Sequence, residues 1–505
     1  MLKMKNTRYL IKLIIIALLI AAQSCSEDFL NEFPSNSQSP DNIKTIADAQ
    51  IVMNGAYDLM QDNNYYNANV ITDNDVRGDD MQTADEGRID DEYLYRYTAQ
   101  TDFDEDSWAQ PFTILKHVNT ILTFIDDIET DLPDEVTQKS DIKGQALTIR
   151  ALAHFDLCRQ FGRQYSHDNG ASLGVPIVTS VLDPYEKLPR NTVAEVYAQV
   201  ISDLNAAIPL LTEDKRLGKV NAWAAKTLLA RVYLYKEDNT NAFNTAVDVI
   251  NNGPYTLMTR SDYVDSWANP SGSSESIFAI INNAADNGGG ESINNLSDPG
   301  GYGQFIATQD LIDLMRSDTN DIRMQMLYVD QFSMKNNPAD PTADPTTWGR
   351  VLKYPGHGNT KARIVAFQES GAPLAVAAYV NNVSVFRLSE LYLIAAEAAI
   401  KNSDAANATF YLNKIVERAN PAATVAQGDV NLDRILTERR KELVAEGHRF
   451  FDLVRNKRDI VRSFSARIYD NSTPLLIKWD NYKIIFPIPQ SELNINPMTQ
   501  NDGYI

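Results

Sequence analysis

Turn-spaced apolar positions run through most of this chain of 505 residues. Ile43, Ala47, Ile51, Asn54, Tyr57 and Asp58 share one stripe and predict a helix ending near Asp62. Phe112, Leu115, Val118, Ile121, Leu122 and Ile125 predict a second over Trp108–Ile128. Lys143–Phe161 reads as a third, stopped at Gly162. Thr192–Leu211 opens on Thr192, with Glu195 three residues on, the pattern in which each side chain bonds the other's backbone N–H. Ser389–Lys401 and Ala405–Ala419 form a helix pair about the turn Asn402-Ser403-Asp404, and Leu432–Arg458 reads as one long amphipathic helix.

Lys226–Pro254 places Leu229, Ala230, Tyr233, Ala242 and Pro254 at spacings close to those of a tetratricopeptide unit. Small Ala230 and Ala242 let paired helices approach, Tyr233 fills the groove, and Pro254 stops the second helix. Two stretches differ in character. Asn63–Ser107 and Met258–Tyr379 are rich in Asn, Asp, Gly, Pro, Ser and aromatics and lack sustained helical periodicity, so they read as insertions carrying binding chemistry. Ser276–Ile281 and Tyr482–Phe486 look like short strands, and the glycines at 288–290 and 300–301 like flexible loops. The expected fold is mainly α: a tetratricopeptide-like helix-pair scaffold with long irregular insertions and a few short strands.

The first residues change the picture from a plain globular chain. Lys3, Lys5, Arg8 and Lys12 precede the apolar run Leu13–Ala22, which is short for a bilayer span. Ala21-Ala-Gln-Ser24 then leads directly to Cys25, an arrangement that resembles a bacterial lipobox. That resemblance implies a signal peptide over 1–24, lipid on Cys25 and a tether over 25–40 ahead of the body at 41–505. The alternative is an ordinary cleaved signal beside a chance cysteine. Losing four cations and no anions with the signal takes the formal charge from −21 to −25. Such a charge argues against nucleic acid and polyanionic ligands. Hydrophobic residues at 44% and charged residues at 22% mark a folded protein. With Cys25 lipidated, Cys158 has no partner, and its apolar helical setting predicts a buried thiol.

Several constellations invite chemistry. Asp73, Asp75 and Gly78 fall at positions one, three and six of an EF-hand loop, but Arg77 and Ala84 occupy positions that need oxygen ligands. That leaves a structural loop knitted by Arg77 and flanking carboxylates. Glu446, Arg449, Asp452 and Arg455 are spaced to pair along a helix, predicting an ion network and not an acid/base dyad. The five histidines are scattered, and neither a His-Glu-x-x-His motif nor a Gly-x-Ser-x-Gly elbow or Walker loop is present, so no catalytic residue, metal ligand or cofactor is expected. Aromatics in the insertions are the candidates for ligand contact, because a sugar's apolar face packs on an aromatic ring. Tyr93, Tyr95 and Tyr97 alternate as on one face of an extended segment. Trp267, Tyr302, Phe305, Trp348 and Tyr354 lie in the second insertion, where each could instead pin a loop to the scaffold. Trp108 fits a helix start and is expected inside.

An ordered series of segments resembles the SusD/RagB family of Bacteroidetes surface lipoproteins. It comprises Arg150-Ala-Leu-Ala-His-Phe-Asp-Leu157, Gly174-Val-Pro-Ile177, Asn191-Thr-Val-Ala-Glu-Val-Tyr197, Ala224-Ala-Lys-Thr-Leu-Leu-Ala-Arg-Val-Tyr233 and Phe386-Arg-Leu-Ser-Glu-Leu-Tyr-Leu393. Glu397-Ala398, Glu438-Arg-Arg-Lys-Glu-Leu443, Glu446-Gly-His-Arg449, Phe486-Pro-Ile-Pro489, Asn496-Pro497 and Gln500-Asn-Asp-Gly-Tyr504 complete it. The resemblance implies a non-catalytic, lipid-anchored protein of the cell outer membrane that binds an oligosaccharide and hands it to a SusC-like TonB-dependent transporter. Ser26-Glu27-Asp28 resembles the acidic signal for the outer leaflet, and Asp73–Asp80 resembles a family loop close to the ligand surface, which implies that Arg77 reaches a sugar hydroxyl. Peptide cargo as in RagB-like members, a surface glycosidase, and a scaffold for protein contacts are the alternatives.

Overall fold

The computed structural model describes residues 43–83, 87–183, 186–268, 273–297, 301–330, 348–355, 366, 370, 381–462 and 474–504. Met1–Ser24, Cys25 and the tether lie outside them. The described part is mostly helical with few, short strands. Side-chain caps set many of the helix starts. Thr45 caps α1 (Ile46–Met60) in a reciprocal box with Asp48, and Thr192 caps α6 (Val193–Ala207) with Glu195, as its sequence predicts. Two helices begin earlier than their apolar stripes indicate: α4 spans Asp102–Phe124 and α5 Pro133–Phe161. The first turns of α5 are solvated, so no apolar periodicity marks them, but Pro133 at the first position preorganises the start. Gly162 ends α5.

α7 (Ala222–Tyr235) and α8 (Asn239–Asn252) are the helix pair read from Lys226–Pro254, with Ala230 and Ala242 fully buried. α8 packs on α11 (Leu388–Lys401), which pairs in turn with α12 (Ala405–Ala419). α4, α5 and α6 continue the layer, and α1 lies on α4. Cys158 is buried in α5.

The expected long helix over Leu432–Arg458 is broken. It forms α13 (Leu432–Glu442) and α14 (Arg449–Arg455), separated by a turn with Ala445 at φ 59 and Gly447 at φ 74. The cause is α2 (Asn69–Arg77), a helix inside the stretch expected to be irregular. A Cβ on Gly447 would lie 3.1 Å from Val70 O, and Gly447 N donates to Asp75 Oδ2 at 3.0 Å. α2 is buried from Val70 to Arg77, with polar Thr72, Asp73, Asn74, Asp75 and Arg77 all inside, which is why it shows no amphipathic stripe.

Strands are few. β1 (Met81–Thr83), β3 (Phe305–Ala307), β5 (Trp348–Val351) and β4 (Leu327–Asp330) form one antiparallel sheet in that order, with Met81 opposite Ala307 and Leu327 opposite Val351. β2 (Ser276–Ile280) is the strand read at Ser276–Ile281, and it pairs with β6 (Val383–Arg387). β7 (Ile460–Val461) pairs with β8 (Leu476–Ile477). Tyr482–Ile484 is a 3₁₀ turn, not the expected strand. A satellite core of Met258, Tyr263, Val264, Trp267, Ile322, Met326 and Leu352 stands beside the main one.

Between the two cores sits a buried ion network. Glu442 meets Arg323 (3.1 Å), Arg387 (2.7 Å) and Arg418 (2.7 Å), and Arg387 and Arg418 also meet Glu275. Burial opposes the charge of Glu442, yet Arg418, Arg387 and Arg323 together hold its carboxyl well below the usual range. The pairing expected along one helix is largely replaced by longer reaches. Glu446 meets Arg387 and Arg449 meets Asp79, while Arg455–Asp452 alone of that series is an i,i+3 pair.

Candidate functional site

The structure takes most of the predicted contact residues out of solvent. Arg77 is fully buried between Phe450 and Phe486, its guanidinium carbon 4.1 and 3.9 Å from the ring centroids, and it bonds Asn74 Oδ1. Asp73–Arg77 is helix and not loop, so Arg77 knits rings and an amide instead of flanking carboxylates. Tyr93, Tyr95 and Tyr97 do not alternate on a strand. Asp90–Leu94 is a short helix, α3, and Tyr95 ends it in the left-handed region at φ 56. All three tyrosines are buried. Tyr95 Oη donates to Arg77 O at 2.6 Å, Tyr97 Oη donates to Lys483 O, and Arg462 covers Tyr93 and Tyr95 while donating to Val76 O, Gly78 O and Tyr93 O. These residues form an internal clamp on the C-terminal end of α2, where cations suit the exposed carbonyls.

Trp267 belongs to the satellite core, 4.6 Å from Lys353 Nζ, and Phe305 is buried in β3. Tyr354 is buried with its hydroxyl on Ala445 O. Trp348 lies in β5 opposite Asp330, and its side chain is outside the described residues. Trp108 packs inside, edge-on to Phe161 at 4.9 Å. Tyr302 is different: 42% of its surface is exposed.

Tyr302 stands on a built platform. The Arg88 guanidinium carbon lies 3.6 Å from its ring centroid, covering one face. Arg88 pairs with Glu291, whose Oε1 is 3.5 Å from Tyr302 Oη. Beneath, Asn295 O accepts from Tyr302 N at 2.8 Å, and a Cβ on Gly301 would lie 2.2 Å from Asn295 Oδ1. The ring is thus covered on one face by a cation and tied at its backbone to Asn295, while much of the side chain stays exposed.

The loop leading to Glu291 is pinned in the same manner. Its carbonyls at Asp286, Gly288 and Gly290 accept from Gln61 Nε2 (3.1 Å), Asn63 Nδ2 (2.6 Å) and Asn295 Nδ2 (2.6 Å). Asn67 bonds Asn63 and accepts from Asn282 Nδ2. Gly288 sits where a Cβ would fall 1.7 Å from Asn67 Nδ2. Gly288 and Gly301 are therefore points of close approach and not the flexible spacers expected from sequence. Sequence reasoning missed Arg88, Glu291 and the Gln61–Asn63–Asn67–Asn295 set. The available signal was the recurrence of asparagine at 63, 64 and 67 and again at 282, 283, 287, 294 and 295.

Residues 28–234 match a family model described as starch-binding associating with outer membrane, and residues 274–504 match the SusD family model. The crystal structure of a SusD superfamily protein from Bacteroides vulgatus is 36% identical, covers 92% of this chain and 100% of its own, and superposes with a TM-score of 0.82. A SusD superfamily protein from Bacteroides thetaiotaomicron is 33% identical over 90% of this chain and 99% of its own, with a TM-score of 0.81. SusD-like protein P25 of Formosa agariphila is 23% identical, with 97% of this chain and 99% of the relative aligned.

Proposed function

Because this chain belongs to the SusD/RagB family, outer-membrane-associated glycan-binding proteins, we propose that it captures a neutral oligosaccharide at the cell surface and passes it to a SusC-like TonB-dependent transporter. The observation that carries the glycan reading is Tyr302, a large exposed ring fixed from behind by Arg88 and bordered by Glu291 and an amide-pinned loop. A ring held in place binds with less ordering loss than a mobile one. A pyranose packs its apolar C–H face on the open side of the ring, and its hydroxyls meet Glu291 and the loop backbone. Arg88 and Glu291 neutralise one another, so the platform offers no net charge to an anionic sugar.

Lipid on Cys25 anchors the protein to the outer membrane, facing outward. No helix of the described residues is long and apolar enough to cross a membrane, and in this reading the barrel partner carries the cargo through. The protein itself is non-catalytic. Three carboxylates of the buried ion network fit this role, since Glu397, Glu442 and Glu446 each sit on arginines that hold them ionised and deprive them of an acid's proton. A glycan array probed with the purified mature chain tests the reading, with peptides retained on native purification identified by mass spectrometry. Binding of neutral glycans is expected. Retained peptides with an array free of signal would move the cargo to the peptide class.

A further inference from the structure

A concave surface adjoins the same pinned loop at Asp286. It is an open cleft of about 600 Å³ between the C-terminal half of α1, the turn at 217–219, the end of β2 and Asp286. Its size falls in the range of small-ligand sites. Tyr57 turns its hydroxyl inward, donating to Gln145 Oε1 at 2.8 Å and accepting from Val220 N at 3.1 Å, so its ring is left as wall. Leu217, exposed, and Ile281 add apolar surface, while Asp58, Lys219 and Asp286 supply charged groups. Gly218 holds the turn at φ +69, and a Cβ there would lie 2.6 Å from Ile281 Cγ1, so the turn is packed against the strand end. Asp58 and Asp286 are exposed and join no ion pair among the described residues. An apolar wall with two carboxylates matches a pyranose, whose C–H face covers the wall while adjacent hydroxyls donate to carboxylate oxygens. Two anions against one cation disfavour sulfated or uronic sugars.

The cleft and the platform share one rigid element. Asp286 lines the cleft, Glu291 borders Tyr302, and the carbonyls at 286, 288 and 290 between them are each held by a side-chain amide. Five residues of chain bound the separation of their Cα atoms at about 18 Å, a span of a few sugar rings. We propose that this cleft is a second sugar-binding site for neutral pyranose units, and that it and Tyr302 grip one oligosaccharide at two points across the loop Asn283–Glu291. This rests on the glycan reading and adds to it a minimum chain length.

Calorimetry of the mature chain with gluco-, manno- and xylo-configured disaccharides and hexasaccharides tests the proposal. The proteins are the wild type, Asp58→Ala/Asp286→Ala and Tyr302→Ala, each checked for an unchanged melting temperature. The wild type is expected to bind the preferred hexasaccharide at least tenfold tighter than its disaccharide. In either variant the length preference falls to near one, because only one grip remains. A length preference that persists in Asp58→Ala/Asp286→Ala overturns the second site, as does a wild type that binds both lengths equally. A wild type that binds no glycan overturns the glycan reading itself and the second site with it. Should the double variant melt early, Leu217→Asp, at an exposed position, replaces it with the same expected loss.

Discussion

Replacing Glu442 by glutamine should destabilise this protein more than any comparable change to an exposed carboxylate. Glu442 is fully buried, and its two oxygens face Arg323, Arg387 and Arg418 at 3.1, 2.7 and 2.7 Å. Its backbone oxygen accepts from Lys353 Nζ and Arg387 Nη2, each at 2.7 Å. Glutamine keeps the volume and removes the charge, leaving three guanidinium groups short of one counter-charge where water cannot compensate. Breaking a buried pair from one side costs about 3–5 kcal/mol. Asp433, exposed and paired with Arg458 on the surface, is the control; Asp433→Asn should be indistinguishable from the wild type. Urea unfolding followed by both tryptophan fluorescence and far-ultraviolet circular dichroism is the assay, and coincident transitions license the free energy. The pH dependence has a definite sign. A carboxyl held low in the folded state stabilises fully above its ordinary pKa, and that stabilisation is lost as pH falls through the folded value. Coincident transitions with a loss below about 1 kcal/mol would refute the claim that this network joins the two cores.

Asp75 carries the opposite sign. Burial, with Asp80 and Glu446 nearby, pushes its carboxyl up to about 7 although Gly447 N donates to it. Asp75→Asn should therefore gain stability relative to the wild type as pH rises from about 4 to 7, and a difference flat across that window in thermal melts would contradict this. Cys25→Ala should leave the protein without lipid and absent from the outer membrane, and normal retention in membrane fractions would remove the anchor assignment. Purification from native membranes in mild detergent should recover a TonB-dependent transporter; recovery of this protein alone would count against the partnership.

The scaffold was readable because its helices bury one face each. The stripes of α1, α4, α6, α11 and α12 mark them, and Ala230 with Ala242 marks the pair α7–α8. What escaped was structure without a stripe. The first turns of α5 are solvated, and α2 is buried on all sides with polar residues, so neither leaves a periodic trace. The break between α13 and α14 is set by α2, a contact of long sequence separation that local pattern cannot carry. The same limit governed the site. Tyr93, Tyr95 and Trp267 have the composition of a sugar platform but are spent on internal clamps, and burial depends on distant partners such as Arg462 and Lys353. Tyr302 was found as an aromatic in a polar insertion, whereas Arg88, more than two hundred residues away, became visible only once folded against it.

Titration of the wild type and Tyr302→Ala with the best neutral oligosaccharide from the array, at low and high salt, tests the central claim most directly. Loss of one stacking contact, about 0.5–1.5 kcal/mol beyond area burial, predicts an affinity reduced roughly three- to tenfold, with the wild-type value nearly independent of ionic strength. A Tyr302→Ala protein that binds like the wild type, or a wild-type affinity that collapses with added salt, would contradict it.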